Sequence, residues 1–117
     1  MIPNQIDIVK RLSELSRLLD AATDEIARAD EKGVQAKQAY EVAYARAFLN
    51  AEGNVDTRKH IATIGTQAER LEYELAFQQH RAVKERINTI RSQLSIGQTL
   101  SAAIRNQFSA EPVGQHT

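Results

Sequence analysis

A chain of 117 residues holds one domain of ordinary size at most, and its 15 Lys and Arg balance 15 Asp and Glu to a formal charge of zero. It is 42% hydrophobic but only 5% aromatic, with no Trp, two Pro and five Gly, which favours helix because strands draw on β-branched and aromatic side chains. The absence of Cys excludes a disulfide framework, a thiolate zinc site and a cysteine nucleophile. The opening residues Met1-Ile2-Pro3-Asn4-Gln5 lack the build of a signal peptide, and no run approaches the ~18 apolar residues of a membrane span, so a cytoplasmic protein without a membrane partner is expected.

Pro3 and Asn4 suit a helix start, and from there apolar or small residues recur in alternating steps of four and three: Ile8, Leu12, Leu15, Leu19, Ala22, Ile26, Ala29, Gly33, Ala36, Tyr40, Ala43 and Ala47. This spacing predicts one helix over about 5–49, ~65 Å long at the α-helical rise, which needs partner helices to bury its seam. The seam is Ile- and Leu-rich up to residue 26 and Ala-, Gly- and Tyr-rich after it. Ile8, Leu12, Leu15, Leu19 and Ile26 are therefore the residues expected at a homo-oligomer interface, and the small residues at a close helix crossing. Gly33 reads as a hinge or a close-contact point, with close contact preferred.

Residues 50–56, Asn-Ala-Glu-Gly-Asn-Val-Asp, form the clearest break. Gly53 suits the left-handed residue after a helix, and Asn54 or Asp56 suits the next cap. A connection this short predicts an antiparallel hairpin. The second helix, about 57–95, carries Ile61, Ile64, Ala68, Leu71 and Leu75, then Val83, Ile87, Ile90, Leu94, Gly97, Ser101, Ile104 and Phe108. The step from Leu75 to Val83 implies a phase slip. Ser95 and Gly97 suit a bend or stop before a short third helix over about 96–108, and 109–117 reads as a disordered tail. The whole is an all-α, coiled-coil-like domain over 1–108.

His60, His80 and His116 lack a partner at metal-ligand spacing and read as surface residues, so no metal or other cofactor is expected. Asp24-Glu25 and Asp30-Glu31, with Arg28 and Lys32 nearby, read as an exposed ion-paired face and not as a catalytic pair. The glycines at 33, 53, 65, 97 and 114 form no phosphate loop, and a non-enzyme is expected.

Charge is unevenly placed. Between His80 and Ala110, Arg81, Lys84, Arg86, Arg91 and Arg105 face only Glu85, leaving four positive charges from five against one. Arg81, Lys84 and Arg91, with Asn88 between, fall on one helical face, which is a nucleic-acid-binding pattern when oligomerisation multiplies it. Arg58 and Lys59 make a second basic spot at the start of the second helix, where they oppose the helix dipole and an anion would relieve them. Tyr40, Tyr44, Tyr73 and Phe77 are assigned to packing rather than to base stacking.

The stretch from Ala68-Glu69-Arg70-Leu71-Glu72-Tyr73-Glu74-Leu75-Ala76 to Ile87-Asn88-Thr89-Ile90-Arg91-Ser92-Gln93-Leu94-Ser95, with Tyr40 to Ala47 and Glu52-Gly53-Asn54 upstream, resembles the tailed-phage recombination mediators of the UvsY type over roughly residues 36–108. The long amino-terminal heptad stretch and the lack of Trp depart from that pattern. The resemblance implies a homo-oligomer of helical hairpins in a bacterial host cell. Such an oligomer binds single-stranded DNA, helps displace the single-strand-binding protein and loads a RecA-like recombinase. Arg58, Lys59, Arg81, Lys84 and Arg91 would carry the DNA. The competing expectation is a small helical interaction module, such as a phage-encoded inhibitor, adaptor or assembly chaperone, that binds no DNA.

Overall fold

The computed structural model describes the backbone of residues 4–115 and the side chains of residues 4–107. These residues form three helices and no strand: α1 (Gln5–Asn50), α2 (Val55–Gly65) and α3 (Gln67–Gln115). α1 packs against α3 in an all-α hairpin. Compact packing divides the chain into two units, one made of residues 25–84 and the other of residues up to 24 with those from 85 onward.

Local chemistry sets the helix ends. Asn4 Oδ1 accepts from the Asp7 N–H at 2.8 Å and Asn54 Oδ1 accepts from the Thr57 N–H at 2.8 Å, each satisfying a donor that the first turn leaves free. The structure thus selects Asn54 as the cap and places Asp56 in the first turn of α2, where a carboxylate favours the dipole. Gly53 takes φ +115° in the connection, and a Cβ there would press on Thr57 at 3.2 Å, so glycine is required.

Within residues 25–84 the helices run antiparallel: Tyr40 stacks on Tyr73 with centroids 6.1 Å apart, and Asp30 lies 3.7 Å from His80. Ala29, Ala62, Ala76 and Val83 are buried. In the other unit Gln5 Nε2 donates to Ser101 Oγ at 3.4 Å, and Ile8, Leu15, Ala22, Ile87 and Ile90 are buried.

The Ile8 to Ile26 seam expected to be an oligomer interface is used inside the chain. Ile8 keeps 5% and Leu15 2% of its surface exposed, and Leu12, Leu19 and Ile26 are half-buried. A helix with one apolar stripe buries it against the first partner available, and the hairpin supplies that partner.

The inward face of α2 and α3 also differs from the expectation. Ala62, Thr66, Ala76, Val83, Ile87 and Ile90 are buried, and Glu69, Tyr73, His80, Leu94, Gly97, Ser101 and Ile104 half-buried. These form one series of fours and threes without a slip. Ile61, Ile64, Leu71 and Leu75 are 44%, 69%, 56% and 60% exposed on a different face. Within α3 one helix can offer only one phase, and Ala76 shares it with Val83, while in α2 it is Ala62 that is buried. The apparent slip came from joining two faces into one. The chosen face has a cost, for Glu69 Oε2 is buried without a hydrogen-bond partner.

The break falls at Thr66 and not at Gly97. Gly65 is a poor helix former, and Thr66, with φ −119° and ψ 23°, donates its hydroxyl to the Ala62 carbonyl at 2.7 Å, a back-bond that bends helices. α3 instead continues through Gly97, where a Cβ would meet Leu12 Cδ2 at 2.7 Å. Glycine serves close approach there, in place of a helix stop and a third short helix. The segment expected as a disordered tail is helical to Gln115. Residues 116 and 117 lie outside the described residues.

Gly33, expected as a close contact, has open space where a Cβ would stand, with nothing within 4 Å. Gly33→Ala is therefore expected to stabilise the hairpin by about 1 kcal/mol, read as a higher urea midpoint at unchanged slope.

Candidate nucleic-acid interface

Each inward residue of α3 is followed by one rotated about 100° away from the core. Arg70, Phe77, Lys84, Arg91, Gln98 and Arg105 hold that position at seven-residue intervals, and all six are exposed. The position is held by Arg70, Phe77 and Lys84 in the unit of residues 25–84 and by Arg91, Gln98 and Arg105 in the other, Lys84 and Arg91 belonging to the expected binding set.

Within residues 25–84 the geometry around Phe77 is defined. The ring is 54% exposed and lines an open groove of about 260 Å³ with Asp30, Val34, Lys37, Tyr73 and His80. Arg70, one heptad before it, pairs with Glu74 at 3.1 Å, both side chains 56% exposed. Such an exposed pair exchanges partners at little cost. Lys84, one heptad after it, makes no ion pair among the described residues. Asp30, the one carboxylate lining this groove, has its Oδ1 3.7 Å from His80 Nε2. A flat apolar ring between two cations suits a nucleotide, whose base stacks while its phosphates meet the charges.

The expected cations are not all equally available. Arg58 is half-buried: its Nε donates to the Phe48 carbonyl at 3.1 Å, and its guanidinium lies 4.5 Å over the Phe48 ring. The dipole penalty inferred for this position is thus offset by the negative end of α1, one of whose last carbonyls Arg58 caps. Arg58→Ala is expected to cost about 1–2 kcal/mol of stability, and Arg58→Lys to recover little of it because an ammonium cannot stack and cap together. Thermal melting followed by circular dichroism measures both.

Lys59 is exposed on α2 and, like Arg58, does not line the Phe77 groove. Arg81 is exposed and engaged in a polar or ionic interaction, as are Arg86, Glu25 and Glu85. Arg91 is exposed without an ion pair among the described residues, and belongs with Arg105 to the other unit.

Phe77 and Lys37 were missed as site residues. Phe77 follows Leu75 closely enough to pass for core, and only the corrected phase puts it outside. Lys37 is brought to the groove by the hairpin, which its position in the chain does not signal. Among the described residues no cluster of three His, Asp or Glu could hold a metal ion. No protein-family model matches the chain, and comparisons with curated proteins and with solved structures returned no match.

Proposed function

We propose that this chain is an accessory protein of DNA recombination that binds single-stranded DNA along α3 as a homo-oligomer, in the manner that its resemblance to UvsY-type mediators implies. The observation that carries the reading is the exposed Phe77 ring set between Arg70 and Lys84 on one helical column, with Lys37 and His80 beside it. Arg91 and Arg105 repeat the same position further along. Phosphate contacts of this kind give affinity without sequence preference, and stacking adds to it because every base has a flat face. A single-strand-binding protein and a RecA-like recombinase are the partners this role requires.

The direct test is fluorescence anisotropy with a labelled single strand of about 20 nucleotides. The wild type should bind, and Phe77→Ala should weaken binding about tenfold or more, the worth of one stacked base. Undetectable binding by the wild type at low salt would remove the proposal.

A second reading, a helical interaction module without DNA binding, is favoured by the exposed stripe Ile61, Ile64, Leu71 and Leu75. That stripe belongs to protein contact and not to nucleic acid.

A further inference from the structure

We infer that Gly33 keeps open a seat for one base of the bound strand beside Phe77, and that Asp30 and Lys37 on either side of it select guanine there. This deepens the reading above and rests on its single-stranded DNA.

Packing does not explain Gly33. It lies inside α1, where glycine weakens a helix. Its φ is not positive, and nothing stands within 4 Å of where its Cβ would be, so neither a turn nor a close crossing asks for glycine. Gly33 does line the Phe77 groove, and glycine serves where a ligand approaches the backbone. The groove holds about 260 Å³, less than the ~300–1,000 Å³ of pockets for drug-sized ligands. That size suits a single base.

The residues flanking Gly33 pick the base. Asp30, Gly33 and Lys37 follow in steps of three and four, so they share one face of α1 with Gly33 in the middle. All three line the groove together with Tyr73 and Phe77 of α3, and all five belong to the unit of residues 25–84. Ionised Asp30 only accepts hydrogen bonds and Lys37 only donates them. The Asp30 side chain is 71% exposed, and His80 Nε2, 3.7 Å from its Oδ1, is too distant for a hydrogen bond. Lys37 is exposed and makes no ion pair among the described residues.

A base stacked on Phe77 over Gly33 therefore meets a free acceptor at one end and a free donor at the other. Guanine answers both. It carries two adjacent donors, N1–H and the N2 amino group, and on another edge two adjacent acceptors, O6 and N7. Thymine has a single N–H, and adenine and cytosine offer a carboxylate one amino group. In a single strand these edges are open to side chains.

The test is fluorescence anisotropy with the full chain and labelled thymine strands of about 20 nucleotides in which every third base is guanine, adenine or cytosine, in lithium buffer so that guanines do not associate. The guanine strand should bind about fivefold tighter or more, the lower end of what a two-pronged base contact discriminates. Hypoxanthine, which lacks the N2 amino group, and 7-deazaguanine, which lacks N7, should each lose most of that gain. Asp30→Asn should bring the ratio of guanine to thymine strands toward one. Gly33→Leu fills the seat and should erase the preference without lowering the melting temperature, because leucine is the better helix former. Strand binding without a preference for guanine, or a Gly33→Leu variant that binds as the wild type does, overturns the inference and leaves the DNA reading standing. Absence of binding to every strand removes both. Guanosine monophosphate that binds as tightly as the strand would make the groove a free-nucleotide site and overturn the inference too.

Discussion

Val83→Asp is expected to abolish the folded hairpin, whereas Leu75→Asp at a concentration where the chain is monomeric should shift the melting temperature little. Val83 keeps 1% of its surface exposed and Leu75 60%, although leucine is the larger residue. The first change removes a packed side chain worth about 2 kcal/mol and leaves a carboxylate without a partner, which costs several kcal/mol more. Small domains hold about 5–15 kcal/mol in total, and this one buries only a single stripe from each helix, so little remains. The second change places a charge in water, where surface substitutions stay within about 0.5 kcal/mol. Thermal melts by circular dichroism decide the matter. Comparable losses from both variants would mean that α3 presents the face carrying Leu75 to α1.

That contrast also shows where the fold was legible. α1 has one apolar series in one phase, so its length, start and inward face follow from spacing alone. α2 and the start of α3 carry two series, and the more hydrophobic one is the outer. Reading by hydrophobicity there chose Ile61 and Leu75 over Ala62, Thr66 and Ala76, because no local rule says that small residues must face an Ala-rich partner. In α3 the phase that buries Ala76 is the one that also buries Val83, Ile87 and Ile90, and those residues lie further along the chain than the stretch in question.

The same error hid part of the candidate site. With Leu75 placed inside, Phe77 passes for packing; with Ala76 inside, Phe77 stands clear of the core and beside Lys84. Lys84 and Arg91 were legible because exposed cations need no tertiary information. Arg58 was legible as a cation but not as a latch, since its partners, the ring and carbonyl of Phe48, come from the other side of the connection. Gly33 and Gly97 were misassigned for a comparable reason: which of the two meets a neighbour depends on helix register, and it is Gly97 that has Leu12 against it.

Replacing Lys84, Arg91 and Arg105 together by Ala should weaken single-strand binding uniformly across sequences and flatten its dependence on salt. Each cation that neutralises a phosphate releases condensed counterions, and for single strands the logarithm of affinity falls with the logarithm of salt by about 0.7 per phosphate. Three lost contacts therefore remove about 2 from the slope, so that the wild type loses roughly 20-fold more affinity than the variant between about 50 and 200 mM salt. Phe77→Ala should behave differently. Stacking carries no charge, and that variant should shift the affinity at every salt concentration while keeping the wild-type slope. The two responses together identify a site built of cations with an aromatic platform. A nonspecific cloud of charge would give the first response without the second, and apolar trapping of bases the second without the first. Equal affinity and equal slope for the wild type and the triple variant would show that these cations do not meet the strand.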